Sequence, residues 1–299
     1  MSFLTIFTAP KPFTDDHIAI IQRNALRSWL NIGPDVKVLL IGQEAGMAEV
    51  AKDLGLRHLP EVARNEQSTP LVSSIFDLAR RESDSSLLAY VNTDILLMPD
   101  FLAAAREVAA QVERFLLVGQ RWDLDVKENL EFTPGWEVRL VERARESGCL
   151  HPPAGSDYFI FPRDCFLKIP DFAIGRAGWD NWMIYHARHR HWPVVDATQD
   201  VTIIHQSHDY RHLPGGQPHY KLPETDENIR LAGGREMTRF TLLDADRRLV
   251  AGRLRQRRWT AEVLRRAIES YPLLAWNNYR LTECLTALFW RIQAVTKRK

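Results

Sequence analysis

Residues 90–97 read YVNTDILL: strand-forming apolar residues run into Asn92, Thr93 and Asp94, then resume as Ile95, Leu96 and Leu97. A carboxylate at the end of a buried strand must be paired, solvated or bound to a cation, because an isolated buried charge is too costly. Outward from this point the chain alternates between two periods. LTIFTA (4–9) is a β-branched run stopped by Pro10 and Pro12, and DDHIAIIQRNALRSWLNI repeats Ile18, Ile21, Ala25, Leu26, Trp29 and Leu30 at helical spacing. VKVLLIG (36–42) predicts a second strand, 45–54 a short helix closed by Gly55, and LRHLPEV a third, weaker strand. In STPLVSSIFDLARRE, Thr69 reads as an N-cap, with Pro70 opening a helix whose apolar face is Leu71, Ile75, Phe76, Leu78 and Ala79. SLLAYVNTDILL then reads as the next strand, with Asn92, Thr93 and Asp94 where its apolar run ends. Helices over 100–112 and 135–147 alternate with strands FLLVGQRW (115–122) and SDYFIFPRD (156–164). Such alternation predicts an α/β fold with a mostly parallel central sheet and helices on both faces. In such sheets ligands bind beyond the carboxyl ends of the strands, which places Asn92, Thr93 and Asp94 at the ligand edge.

The composition fits an ordinary folded chain: 299 residues, 45% apolar and 26% charged. Cys149, Cys165 and Cys284 are widely spaced, odd in number and without a C-x-x-C pair, which implies neither a disulfide framework nor a zinc knuckle. A reducing, cytoplasmic setting is expected. MSFLTIFTAPKPF has no basic region ahead of a long apolar run, so no secretory signal is expected. No stretch reaches the roughly 18 apolar residues of a spanning helix.

Each candidate residue has a plain reading beside the chemical one. Asp94 can be a turn residue, or a hard ligand for a divalent cation that bridges a diphosphate. Seven of the ten histidines lie between His186 and His219, and VTIIHQSHDYRH puts His205 and His208 directly behind an apolar run. These can be solvated loop residues, further metal ligands, or, with His212, a metal site of their own. In GRAGWDNW, Asp180 sits at a helix start, as an N-cap or as a general base, with Trp179 and Trp182 as core or as an apolar wall for a sugar ring. Asp157 stands at the mouth of a strand, as a turn or an acceptor contact. Arg64 and Asn65 precede a helix start, as surface polarity or as phosphate and base contacts.

With NTD at a strand end, GWDNW downstream and a late histidine behind a strand, the chain resembles the glycosyltransferases of the A-type (GT-A) fold over residues 3–210. The resemblance implies a single Rossmann-like domain for nucleotide-diphospho-sugars, assigned to 1–230, with 231–299 as a basic helical C-terminal appendage. In that family a D-x-D element binds Mn2+ or Mg2+ and the donor diphosphate. Here Asn92 stands at the first carboxylate position, leaving Asp94 as the charged ligand, with His205, or His208 in its place, resembling the late metal-binding histidine. Asp180 resembles the base of inverting members. Thr8, Ala9 and Pro10 look like the loop under the nucleotide base. Arg64, Asn65, Asn92, Thr93 and Asp94 look like further donor contacts, and Asp157, Trp179 and Trp182 like acceptor contacts.

The function expected is transfer of a sugar from a nucleotide-diphospho-sugar to a hydroxyl of a glycan or lipid-linked acceptor, metal-dependent and inverting, in polysaccharide or glycolipid assembly. Alternatives are a metal-dependent hydrolase using the His205–His212 cluster and a non-catalytic nucleotide-sugar-binding module. A nucleotidyltransferase is disfavoured because TAPKPFTDD lacks the glycine-rich basic loop of that class. From Arg247 onward thirteen Lys or Arg face three Glu, so the tail carries about +10 of a net +1 and the rest about −9. RRLVAGRLRQRRWTAEVLRRAI is expected to be helical, packed on the domain or laid on the inner face of an anionic membrane. No nucleic-acid recognition motif accompanies the charge.

Overall fold

The computed structural model describes residues 2–208 and 222–296. Leu4–Thr8 (β1), LTIFT, is buried along its whole length, as a strand flanked on both sides in a covered parallel sheet must be. Asp15 caps Asp16–Leu30 (α1) by accepting the Ile18 N–H at 2.9 Å. Then come Val36–Ile41 (β2), Met47–Leu54 (α2), Arg57–Leu59 (β3), Val72–Glu82 (α3) and Leu87–Val91 (β4). The chain continues through Ile95–Leu97 (β5), Pro99–Ala109 (α4), Leu116–Val118 (β6), Trp122–Leu124 (β7), Trp136–Ser147 (α5), Cys149–Leu150 (β8) and Tyr158–Pro162 (β9). Trp179–His189 (α6), Val194–Asp196 (β10), Ile203–Gln206 (β11) and Pro223–Leu231 (α7) follow. The C-terminal part comprises Arg247–Val250 (β12), Arg253–Gln256 (β13), Ala261–Trp276 (α8) and Tyr279–Thr296 (α9).

The main sheet runs β13-β12-β10-β6-β9-β4-β1-β2-β3. Its pairs are parallel except where β9 lies antiparallel between β4 and β6 and where β13 turns back on β12. The mostly parallel α/β architecture expected from the alternating pattern is therefore present. A small sheet, β5-β11-β7-β8, stands at the carboxyl edge of the large one. One apolar cluster is built on Leu4, Ile6, Leu40 and Ala89 with α1 and α4, another on Phe7, Leu88 and Phe161 with α3 and α6. The two clusters correspond to the two faces of the sheet.

The structure departs from the expected elements in four places, each for a local reason. SLLAYVNTDILL is two strands: β4 pairs with β1 and β9, and after Asn92-Thr93-Asp94 β5 pairs with β11 of the small sheet. FLLVGQRW divides likewise, β6 staying in the main sheet and β7 entering the small one. Thr69 is not the cap of α3. The helix starts after Leu71, because Pro70 and Leu71 are held extended by bridges to Arg64 and Ala173. The tail is not helical throughout: Arg247–Val250 and Arg253–Gln256 form a hairpin whose alternating Leu249 and Leu254 face each other, and β12 extends the main sheet beside β10.

In the sheet order, β1 has β2 on one side and β4 on the other, so the chain leaves β1 toward one edge and returns on the opposite flank. This is the topological switch at which a crevice opens beyond the strand ends. Thr8 and Thr93, at the ends of β1 and β4, share a hydroxyl hydrogen bond of 2.7 Å across it.

Candidate functional site

A cavity of about 690 Å³ opens at this switch, and its lining includes Ala9, Pro10, Asn92, Thr93, Asp94 and Asp180. Arg64, Asp157, Trp179, His205 and His208 also line it, so most of the candidates read from the sequence converge on one space. Three do not reach its wall. Thr8 lies beneath it, holding Thr93. Asn65 is a turn residue, its carbonyl oxygen accepting the N–H groups of Gln67 and Thr69 and its amide donating to Glu224 at 2.7 Å. Trp182 is buried in the core between Phe172 and His186, which removes it from the expected acceptor wall. Trp179 is also mostly buried, edge-on to Tyr90 with centroids 5.0 Å apart, though it still lines the cavity.

Asp94 is placed by its backbone. Its carbonyl accepts the Gln206 N–H at 3.0 Å and the Gln206 side-chain amide at 3.2 Å, while that same amide also donates to Ile21 of α1. The small sheet and α1 thus lock the turn between β4 and β5. Asp94 Oδ2 accepts from Lys11 at 3.4 Å and lies 3.1 Å from His208 Nε2, whereas Oδ1 is buried without a hydrogen-bond partner. Burial works to raise the Asp94 carboxyl, but Lys11, the His208 hydrogen bond and the two nearby imidazoles outweigh it and hold the carboxyl well below its ordinary value. It is a carboxylate in a cationic setting.

Ligand atoms of Asp94, His205 and His208 lie within 4.8 Å of one another. His205 Nδ1 is 3.0 Å from Asp123 Oδ1. That contact orients the ring and leaves Nε2 for a ligand, the arrangement by which outer carboxylates prepare metal-binding imidazoles. The orphaned Asp94 oxygen and the mixed oxygen–nitrogen donor set fit a divalent cation. The remaining histidines of the rich segment divide. His186 is packed by Trp182, Phe166 and Trp192, where burial lowers it to about 4. His212 lies outside the described residues.

A relay of side chains ties these groups together. Tyr90 donates to Asn92 at 3.0 Å, Asn92 donates to Asp157 at 3.0 Å, and Arg121 donates to both Asp157 oxygens at 2.8 and 2.7 Å. Arg121 also donates to Asp123, which lies beside His151 and His205. Asn92 is thus engaged in joining β4 to β9. Asp157, at 6% exposure, has both oxygens occupied by Arg121. Arg64 pairs with Glu44 at 2.8 Å on the cavity wall.

Asp180 is the second residue of α6, after Gly178 in the left-handed region (φ +106°), and its Oδ1 accepts the Gly178 N–H at 3.3 Å. It therefore lies inside the helix and is not the N-cap. Burial pushes its carboxyl above the ordinary value. The N–H groups of Asn181 and Gly178 oppose this, and the negative charge of Asp157 adds to it. A carboxylate so placed is a stronger proton acceptor than one in water.

Sequence reading missed Lys11, Arg121, Asp123 and Arg176. Lys11 had a visible signal, since it follows Pro10 in the loop already singled out. Arg121 lies just beyond β6, in a run whose division between two sheets was not visible from composition. Arg176, paired with Glu224 at 2.7 Å, joins the cavity only through long-range packing.

No protein-family model matches the chain, and no curated protein matches it in sequence. Among solved structures it is similar to a mannosyltransferase from Pyrobaculum calidifontis in complex with GDP-Man and Mn2+, at 12% identity and TM-score 0.47. That match covers 70% of this chain, which spans 58% of the mannosyltransferase's length. Another similar structure is glucosyl-3-phosphoglycerate synthase from Mycobacterium tuberculosis in complex with Mg2+ and uridine-diphosphate, at 14% identity and TM-score 0.44, covering 69% of this chain and 72% of the synthase.

Proposed function

We propose that this protein transfers a sugar from a nucleoside-diphospho-sugar to a hydroxyl of a glycan or lipid-linked acceptor, inverting the anomeric centre. The observation that carries this reading is one cavity, at the sheet's switch point, that holds both the Asp94, His205 and His208 cluster and the buried Asp180 carboxyl. Asp94, His205 and His208 would hold Mn2+ or Mg2+, which when bound supplies positive charge against the leaving diphosphate. Lys11 brings a further cation to the same corner, 3.4 Å from Asp94. Ala9 and Pro10 present the end of β1 to the donor, and Trp179 offers an apolar edge beside Asp180.

In the transfer, the acceptor hydroxyl gives its proton to Asp180 as its oxygen forms a bond to the anomeric carbon. The bond from that carbon to the phosphate oxygen breaks, and its electron pair leaves with the nucleoside diphosphate. Attack from the side opposite the leaving group inverts the centre. The raised Asp180 carboxyl suits it to take the proton, and the site cations favour departure of the diphosphate.

Calorimetric titration of the wild type and Asp94→Ala with nucleoside diphosphates and sugar nucleotides, with and without Mn2+, tests the donor site. Binding that requires Mn2+ and is lost in Asp94→Ala is expected. Absence of binding to every nucleotide in the panel would remove the transferase reading.

A further inference from the structure

The C-terminal helices present a second surface, away from any role in the donor site. Helix α8 buries Arg266, Glu269, Ser270 and Leu273 against the body. At helical spacing Leu264, Ile268 and Tyr271 fall on the opposite side, and all three are exposed, at 51%, 42% and 56%. Tyr271 meets Trp276 edge-on, with centroids 5.2 Å apart and Trp276 at 62% exposure. Helix α9 packs on α8, burying Thr282 and Thr286 while leaving Leu281, Leu288 and Trp290 exposed. Ahead of α8, Arg257 lies over the ring of exposed Trp259, 3.9 Å from its centroid. Arg253, Arg255, Arg258, Arg280 and Arg291 are exposed and make no ion pair among the described residues.

A helix pair buried on one side should carry polar residues on the other. Here the exposed side of α8 carries Leu264, Ile268 and Tyr271, with Trp276 against Tyr271, and arginines that make no ion pair among the described residues lie before and after the helix. Aromatic residues able to sit at an apolar–polar boundary, aliphatic residues beyond them and excess positive charge match one chemistry together, the interface of an anionic lipid bilayer. The charge disfavours a second copy, which would bring like against like. No helix of the described residues is long and apolar enough to cross a membrane. We propose that the outward face of α8 and α9, with Trp259 and its neighbouring arginines, lies on the surface of an anionic bilayer.

The test is co-sedimentation of the full chain with phosphatidylcholine vesicles, with and without phosphatidylglycerol, alongside sedimentation velocity without lipid. Two variants accompany it: Leu264→Ser with Ile268→Ser and Trp276→Ser, and Arg258→Glu with Arg280→Glu. All five residues are exposed, and circular dichroism checks that helicity is kept. The expected result is binding to anionic vesicles only, weakened by salt and reduced about tenfold or more in each variant. A blue shift of tryptophan fluorescence in the unaltered chain should accompany binding. Failure of the wild type to bind anionic vesicles overturns the proposal. So does unchanged binding by the triple serine variant, which would leave only diffuse charge, or a lipid-free dimer abolished by that variant, which would assign the face to a second copy. None of these results bears on nucleotide binding.

Discussion

At position 92 the resemblance and the structure suggest different chemistry. A carboxylate there would complete a D-x-D element, but the observed amide donates to Asp157, which is itself buried and held by Arg121. An aspartate could make no such donation when ionised, and would set two carboxylates about 3 Å apart, where like charges repel. Asn92→Asp is therefore expected to destabilise the fold by about 1–3 kcal/mol at pH 7, the cost of leaving a buried polar group unsatisfied. The loss should shrink as pH falls and the introduced carboxyl at position 92 protonates. Thermal melts from pH 5 to 8 would show it. An unchanged melting temperature with tighter Mn2+ binding would show instead that position 92 is a metal ligand. Asp180 has the opposite relation to charge. Its folded value lies above its unfolded one, so the stability held by its neutral form is present at low pH and is lost as pH rises through the folded value. Asp180→Asn, which can still accept the Gly178 N–H, should melt higher than the wild type at pH 7, with the gain shrinking toward acid pH. It should bind nucleotide normally and lose sugar transfer by orders of magnitude. A lower melting temperature at pH 7 would mean that the ionised carboxylate is stabilising.

At the scale of elements, the legible parts were those in which local pattern and burial agree. β1, α1 and β2 carry unmixed periods, β1 with stops at Pro10 and Pro12, and each formed close to where it was read. The same holds for α5 and β9. What was not legible is where a strand changes sheets. β4 and β5 are both apolar and fully buried, so nothing in composition separates them; only the pairing of β5 with β11, more than a hundred residues later, pulls the chain out of the main sheet. Polar Asn92-Thr93-Asp94 was the visible trace of that crossing, read as an interesting strand end and not as a corner. The start of α3 failed for a related reason: Thr-Pro is a favourable helix opening locally, but pairing of Pro70 with Arg64 and of Leu71 with Ala173 keeps both residues extended. Most candidate site residues near strand ends converged because strand direction brings them to one edge, while Thr8 stops just beneath the cavity. Asn65 and Trp182 did not, since a turn's own hydrogen bonds and a helix's rotation about its axis decide them.

At the scale of the whole molecule, the basic C-terminal part is built into the body by strand pairing and by buried charge. Basic β12 and β13 complete one edge of the main sheet, and α8 is fastened to what precedes it by a buried arginine. Arg266 donates to Asp244 at 2.8 Å and to Glu269 at 3.1 Å, with the two carboxylates 3% and 1% exposed, and also to the Arg239 carbonyl at 3.1 Å. Burial works to lower the Arg266 guanidinium, and the two carboxylates more than restore it. Forming such a group from hydrated ions gains little, but removing its centre leaves acidic groups inside with their charge uncompensated. Arg265, 2.8 Å from Glu269, can relieve only one of them. Arg266→Ala is therefore expected to cost about 3–5 kcal/mol in urea unfolding at pH 7. A cost below about 1 kcal/mol, the value of an exposed pair, would mean that the C-terminal helices are held by Leu273 and its apolar neighbours alone and that the buried charges are bystanders. The expected result ties the outward face of α8 to a fixed position on the body, so that any surface it meets is met by the whole protein.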